Sequence, residues 1–135
     1  MSLVTVKNDI NLYLNMIRLL KSKFSFGVFD KFSIYMHFCW TDTLNNEYYT
    51  SYDINLEYYS VLYNLGVVYC NLGRTINLKS QDTDDNKLKE AIKYFQNAAW
   101  IFEKLSHEVL TSVKDNELQP DLNTKNLNMV SNIVL

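Results

Sequence analysis

The chain has 135 residues, enough for one small domain that buries roughly two-thirds of the surface its unfolded chain exposes. Lys and Arg number 13 and Asp and Glu 15, so the net charge is −2 at pH 7. This balance argues against the basic surface that nucleic acid or an anionic membrane attracts. With only 3 Gly and 1 Pro, the composition favours long helices and few tight turns.

The compartment signals favour the cytoplasm. The N-terminus has no basic region followed by an apolar stretch, so no cleaved secretory signal is expected. No window reaches the ~18 apolar residues that a membrane span needs. Cys39 and Cys70 are far apart in apolar contexts, so we expect two buried, reduced thiols rather than a disulfide.

The first elements are predicted to be a helix and a β-hairpin. Asn8 is expected to cap a helix that runs to about Lys23. Its buried stripe would contain Ile10, Leu14, Ile17 and Leu20. Alternating apolar residues predict a strand from Phe32 to Trp40, with Glu47 to Tyr52 as its partner, so the hairpin would span residues 32–52. Two strands alone are marginal in water, so helices must cover the apolar face.

Two long helices form the predicted centre of the chain. Asp53 or Asn55 would start a helix over about 54–78, in which Gly66 indicates the close approach of a neighbouring helix. A polar segment leads into a second helix over about 86–113. Its apolar stripe comprises Leu88, Ala91, Ile92, Phe95, Ala98, Ala99, Phe102, Leu105 and Val109.

A last helix is predicted over about 124–135. Pro120 ends the preceding run, and Asn123 can cap the new helix. The apolar residues of this helix are Leu127, Val130, Ile133 and Val134. We expect the chain to self-associate, because Ile133, Val134 and Leu135 would lack neighbours and exposed apolar patches drive association.

Catalytic and metal-binding constellations are not evident in the sequence. His37 and Cys39 share a strand face, but His107 is the only other histidine, so a partly buried His37 is a better interpretation than a metal ligand. No glycine-rich phosphate loop or nucleophile elbow occurs. Between Asp42 and Gly73 there is no Lys or Arg, which argues against a base-stacking surface for nucleic acid. We expect no catalytic residues, no metal and no cofactor.

Several segments together resemble a known family. The chain contains Trp40-Thr41-Asp42 after an apolar strand, then the helix segment Leu56 to Gly66, the helix segment Leu88 to Ala99, and Pro120-Asp121-Leu122 before the last helix. Tyr63 to Tyr69 and Glu90 to Ala98 are also similar to the two helices of a tetratricopeptide repeat, but the spacing between them is too long and no second copy follows. In this order the segments resemble the Bro-one domain of Alix-like endosomal scaffolds, over nearly everything from Asp9 to Leu135.

The resemblance implies a fold, a function and a location. The fold would be mainly α with a small β-hairpin, a tetratricopeptide-like helical array. Members of the family bind the C-terminal helical tails of ESCRT-III subunits, the charged multivesicular body proteins, in endosomal sorting. The chain would then be a cytoplasmic scaffold that is recruited to endosomes and meets the membrane only indirectly. Family domains are longer, so residues 1–135 would be a partial Bro-one-like domain truncated at its C-terminal end.

Part of the family's tail-binding site can be carried over to this sequence. The family has an acidic residue followed four positions later by a lysine at the start of the long helix, and Asp85 and Lys89 match that pattern. Such a pair can contact the polar edge of an incoming amphipathic helix. The alternative is a helix N-cap and a solvated lysine. The family's apolar groove residues come mostly from a next helix, which would lie beyond Leu135.

Two other functions stay open at this point. A generic tetratricopeptide-like adaptor would bind a different peptide partner, and recurring 34-residue units downstream would support it. An enzyme of unknown class would need a constellation that the sequence does not show. Loss of turnover on mutation of His37 or His107 would support that alternative.

Overall fold

The computed structural model describes residues 1–26, 34–76, 84–112 and 119–134. It contains four helices and one hairpin in the order α1 (Leu3–Lys23), β1 (Phe38–Thr41), β2 (Tyr48–Ser51), α2 (Ile54–Thr75), α3 (Asp85–Ser112) and α4 (Thr124–Val134), with a 3-10 turn at Pro120–Leu122 before α4. The predicted fold class, mainly helical with a small antiparallel hairpin, is confirmed. None of the helices in the described ranges is long and apolar enough to cross a membrane.

The first helix begins earlier than its sequence pattern suggested. The Oγ of Ser2 accepts a hydrogen bond from the Thr5 N–H at 3.2 Å, so Ser2, and not Asn8, is the N-cap. Serine in extended backbone satisfies one of the unpaired first-turn donors, and no breaker lies between it and Asn8. Leu14 and Ile17 are buried, whereas Leu20 is 40% exposed and lies outside the core.

The hairpin is shorter than the alternating pattern indicated. Phe38 lies opposite Ser51, and Thr41 lies opposite Tyr48. Residues 35–37 are not in a strand, and Ile34 forms only an isolated bridge with Phe26, so the prediction of a continuous strand is wrong there. Positions 32 and 33 lie outside the described residues. Among the described residues the paired strands begin at Phe38, and a strand needs a neighbouring strand to form.

The hairpin also corrects two predictions about burial. Cys39 is exposed and Cys70 is half-buried, and both are free thiols, so the expectation of two buried thiols is wrong for Cys39. His37 is exposed rather than partly buried, and its ring centroid lies 5.0 Å from that of Tyr52. The reason is that helices cover only the Phe38 face of the hairpin, which leaves the opposite face to solvent.

The two long helices pack closely against each other at a glycine. Asp53 caps α2, because its Oδ1 accepts the Asn55 N–H at 2.8 Å. A Cβ atom added to Gly66 would lie 2.7 Å from the Cζ atom of Phe102 on α3. The predicted close approach at Gly66 is therefore confirmed. The last predicted residues of this helix, 77 and 78, lie outside the described ranges.

The helices form an array in which α2 packs against α1 and α3, and α4 packs against α3. Asn123 caps α4 by accepting the Lys125 N–H at 2.9 Å. The Ser131 hydroxyl donates to the Ala99 carbonyl at 3.1 Å, and both Ala98 and Ala99 are buried. Small side chains on α3 therefore let the α4 backbone come close, which places the core between these four helices and the hairpin.

Candidate partner-binding surface

The two residues assigned to partner binding from the sequence lie on the first two turns of α3. Asp85 and Lys89 are both exposed, and their spacing places them on one face of the helix. Within the described ranges, the ion pair that closes to within 4.0 Å is Lys104 with Glu108. The Asp85 carboxylate and the Lys89 ammonium are therefore farther apart than that and are directed to solvent.

The sequence left open whether Asp85 caps α3. In the structure the neighbouring residue, Asp84, forms the capping hydrogen bonds. The Asp84 Oδ1 accepts the Asn86 N–H at 3.3 Å, and the Asp84 carbonyl accepts the N–H groups of Lys87 and Leu88 at 2.9 and 3.2 Å. These bonds satisfy first-turn donors of α3. The Asp85 carboxylate therefore has no capping bond to lose when it contacts another molecule.

Two apolar side chains lie beside the charged pair. Leu88 and Ile92 are 45% and 46% exposed, at three and seven residues from Asp85. We call Asp85, Leu88, Lys89 and Ile92 the α3 entry face. Both belong to the apolar stripe predicted for this helix, and the structure leaves this part of the stripe exposed.

The entry face is exposed because α4 covers only part of α3. The Ser131 hydroxyl reaches the Ala99 carbonyl, and α4 ends three residues later, at Val134. An 11-residue helix spans about 16 Å, whereas the 28 residues of α3 span about 42 Å. The first turns of α3 therefore extend past the end of α4. On α4 itself Ile133 is exposed, Val134 packs partly against the core, and Leu135 lies outside the described residues.

A pair of buried aspartates attaches the hairpin to the segment before α4. The Asp42 Oδ2 accepts the Asp121 N–H at 2.7 Å, and its Oδ1 accepts the N–H groups of Leu44 and Asn45 at 2.8 and 2.9 Å. In return the Asp121 Oδ2 accepts the Thr43 N–H at 3.1 Å. We call this reciprocal pair the aspartate latch. It fixes where α4 begins, and so which part of α3 is covered.

The two carboxyl groups of the latch are perturbed in opposite directions. Burial alone would raise the pKa of Asp42, but the backbone N–H groups of Asp121, Asn45 and Leu44 outweigh it and hold that pKa below its usual range. Burial raises the pKa of Asp121, against the hydrogen bonds from Thr43 and Gln119, and the nearby charge of Asp42 raises it further. Asp42 is thus the more acidic member of the pair.

A buried glutamate on α2 joins this helix to two other elements. Glu57 on α2 accepts the Tyr13 hydroxyl from α1 at 2.7 Å and the Trp40 indole N–H from β1 at 2.6 Å. Burial, the hydrogen bond to Glu57 and the charge of Glu57 raise the pKa of Tyr13 to about 12. A shallow, mostly apolar cavity of about 300 Å³ lies beside these residues, between α1, β1 and α2. The glutamate holds the hairpin against the helices.

Neither acidic cluster has the composition of a metal site. No group of three or more His, Cys, Asp or Glu side chains that could hold a metal lies within the part of the chain that the structure describes. His107, the other histidine considered from the sequence, is exposed on α3.

The latch and the glutamate are the polar residues that sequence reasoning missed. Asp42 and Asp121 stood in the motifs Trp40-Thr41-Asp42 and Pro120-Asp121-Leu122, but 79 residues separate them and no spacing rule connects them. Glu57 stood in an apolar helix segment, where an isolated charged residue next to Tyr58 and Tyr59 is a signal of a buried, paired carboxylate.

Comparison with known proteins gives one family. A family model described as the BRO1-like domain matches residues 4–135, a range that includes α1 almost entirely and every later helix and strand. No curated protein matches the chain.

Proposed function

The chain belongs to the BRO1-like domain family, and from this membership we propose that it binds the amphipathic helical tail of an ESCRT-III subunit as a scaffold of endosomal sorting. The family consists of ESCRT-associated scaffold and adaptor domains and is not a known enzyme family. The proposed mode of action is binding without catalysis. The proposed location is the cytoplasm, with recruitment to endosomes through protein partners.

One observation carries the choice of surface. The α3 entry face places two half-exposed aliphatic side chains, Leu88 and Ile92, beside an acidic and a basic side chain. An amphipathic helix presents the complementary arrangement, an apolar stripe with charged edges. Exposed aliphatic residues at helical spacing are the usual anchors for such a ligand.

The expected contributions differ between the two kinds of residue. Burying Leu88 or Ile92 against a ligand would contribute about 1–2 kcal/mol each, because roughly half of each side chain remains to be buried. Asp85 and Lys89 at the edge would contribute less, about 0.2–1 kcal/mol each, since exposed charge pairs are weak. Apolar contacts would set the affinity, and the charges would set the orientation of the tail.

The test is binding of a fluorescent ESCRT-III tail peptide, followed by anisotropy. The peptide is titrated into the 135-residue chain and into the product of the full open reading frame. The double variant Leu88→Asp, Ile92→Asp should abolish measurable binding. Asp85→Ala and Lys89→Ala should each weaken it by about two- to fivefold.

Matched controls remove similar side chains away from the entry face. Glu103→Ala on α3 and Lys125→Ala on α4 change exposed charges, and Leu110→Ala changes an exposed leucine near the other end of α3. These variants should bind as the parent does. No binding by either protein would refute the function, whereas binding unaffected by the four entry-face substitutions would refute the surface. Tight binding of an extended peptide without helical character would favour the generic adaptor instead.

Self-association of the chain stays a prediction, and two exposed apolar side chains on α4 support it. Met129 and Ile133 on α4 are 54% and 74% exposed and lie one helical turn apart. We expect sedimentation velocity to show dimers or larger species at high concentration, and Ile133→Ser to reduce them. A monomer at all concentrations would contradict this expectation.

A further inference from the structure

A second concave region lies near the opposite end of α3. It is an open cleft of about 420 Å³ between the second half of α1, the first turn of α2 and the last turns of α3. We call it the α1–α3 cleft. The residues that matter to the argument are Arg18, Lys21, Asn55, Tyr58, Glu108 and Thr111.

Two cations of α1 converge on one buried ring in this cleft. The Lys21 Nζ lies 4.7 Å from the ring centroid of Tyr58, and the Arg18 Cζ lies 5.7 Å from it. Neither cation has a carboxylate within 4.0 Å among the described residues. Like charges three residues apart on a helix repel each other, and the shared ring draws them together. An anion between them would relieve that repulsion.

We propose that the α1–α3 cleft binds a phosphate ester, with Arg18 and Lys21 as its charged ligands. A phosphate monoester carries about −1.5 to −2 charges at pH 7, which matches two cations better than a single carboxylate does. A guanidinium binds two phosphate oxygens at once, and an ammonium adds a point charge. The Asn55 amide lines the same cleft and can donate a further hydrogen bond. The Thr111 hydroxyl also lines it, but its proton is donated to the Glu108 carbonyl at 2.9 Å, so it would have to leave that bond to bind a ligand.

The size of the cleft indicates what the phosphate is attached to. A volume of about 420 Å³ falls within the roughly 300–1,000 Å³ of small-molecule sites, well above the need of a bare ion. The remaining wall carries polar groups, which suit a hydroxyl-rich body such as an inositol. The same headgroup occurs in soluble inositol phosphates and in phosphoinositide lipids, so the test separates these two sources.

The acidic group that faces the cleft is already neutralised. The Glu108 carboxylate lies 3.7 Å from the Lys104 Nζ, four residues earlier on α3. With that pair counted as neutral, Arg18 and Lys21 contribute two positive charges among the described residues that line the cleft. Because the cleft has two cations and its carboxylate is already paired with Lys104, we chose an anion as the ligand.

The cleft is independent of the proposed tail-binding surface. Lys89 and Glu108 are 19 positions apart on α3, which corresponds to about 28 Å along the helix. A phosphate ester in the cleft would therefore leave the entry face accessible. Failure of one proposal has no bearing on the other.

The test is isothermal titration of the 135-residue chain with inositol trisphosphate, and sedimentation with phosphatidylcholine vesicles that contain or lack phosphatidylinositol bisphosphate. We expect saturable binding in at least one arm, and the arm that responds identifies the source. The double variant Arg18→Gln, Lys21→Gln should weaken it by about tenfold or more. Arg18→Lys should weaken it less, because the charge is kept and the two-pronged contact is lost.

The matched control removes two other exposed charges, Lys93→Gln and Lys125→Gln, and should bind as the parent does. Thermal melting checks that each variant is folded. In the parent, the amide signals of Asn55 and Thr111 should shift on addition of inositol trisphosphate, which tests the site without any substitution. The proposal is refuted if neither phosphate ligand binds, if both double variants lose affinity equally, or if a polyglutamate peptide binds as tightly at the same residues.

Discussion

The two halves of α3 carry the same apolar repeat but meet different neighbours. In the C-terminal half Phe102, Leu105 and Val109 are at most 1% exposed, between α2 and α4. In the N-terminal half Leu88 and Ile92 leave almost half of their surface to solvent. An apolar repeat shows which side of a helix can be buried, but burial itself requires a second element at the same height. The exposed face of the N-terminal half, which α4 does not cover, is the surface that we propose for a partner.

The largest expected difference between the halves is in stability. Phe102→Ala removes a fully buried ring that contacts Gly66 and Tyr63, and should lower the free energy of unfolding by about 3–5 kcal/mol. Leu88→Ala should lower it by less than about 1 kcal/mol, since its side chain is half exposed. Urea unfolding followed by circular dichroism measures both values. Equal losses would show that the entry face is buried in solution and would contradict the comparison.

Breaking the aspartate latch should loosen α4, the helix that covers the C-terminal half of α3. Asp42→Asn places an amide NH₂ where a carboxylate oxygen now accepts backbone N–H groups, so at least one buried donor loses its partner. We expect a loss of about 2 kcal/mol in stability at pH 7. Hydrogen exchange should increase most in α4 and at Thr43, which the latch connects. The exposed Asp9→Asn variant serves as the control and should leave both measurements unchanged.

The pH dependence of that loss identifies the charge responsible. Because the native pKa of Asp42 is lowered, its contribution is present above the unfolded value of about 3.9 and is lost as the pH falls through the native pKa. Asp121 has a raised pKa and is protonated in that acidic range. The stability gap between parent and Asp42→Asn should therefore narrow below about pH 4. A gap that stays constant to pH 2 would mean that the charge of Asp42 is not involved.

Much of the helical architecture could be predicted from local patterns, because caps, breakers and periodicity act over a few residues. Gly66 and Asn123 illustrate this, since each has the role that its surroundings indicated. Apart from the N-cap of α1, which is Ser2 rather than Asn8, the errors concern contacts between distant segments. The sequence could not show that α4 reaches α3 at Ala99 and ends three residues after Ser131, so the apolar stripe of α3 gave no sign that Leu88 and Ile92 stay exposed.

The candidate sites also depend on contacts between segments that are distant in the sequence. Asp85 and Lys89 were found through a family resemblance, and the exposed leucine and isoleucine beside them emerged only from packing. The cleft of Arg18 and Lys21 combines residues of α1, α2 and α3 that no sequence spacing connects. The aspartate latch likewise depends on a turn and a linker 79 residues apart.

The smallest expected change in stability comes from replacing two glycines of α2. Gly66 faces the C-terminal half of α3, and Gly73 faces the N-terminal half. A Cβ at Gly66 would lie 2.7 Å from the Phe102 Cζ, and one at Gly73 would lie 2.8 Å from the Phe95 Cζ. Replacing a helical glycine with alanine contributes about 1 kcal/mol through helix propensity, so the outcome depends on whether the ring can move. Phe102 is fully buried and cannot shift, whereas Phe95 is half-buried at the border of the uncovered half.

We therefore expect Gly66→Ala to lower the free energy of unfolding by about 1–2 kcal/mol, since overpacking outweighs the propensity gain. Gly73→Ala should lie within about 0.5 kcal/mol of the parent. Urea unfolding of the two variants and of Gly66→Ala combined with Phe102→Leu tests the cause, because the smaller side chain should recover part of the loss. Equal destabilisation by both alanines would show that α3 is packed as rigidly at Phe95 as at Phe102. The tightly packed part of α3 would then extend closer to the entry face.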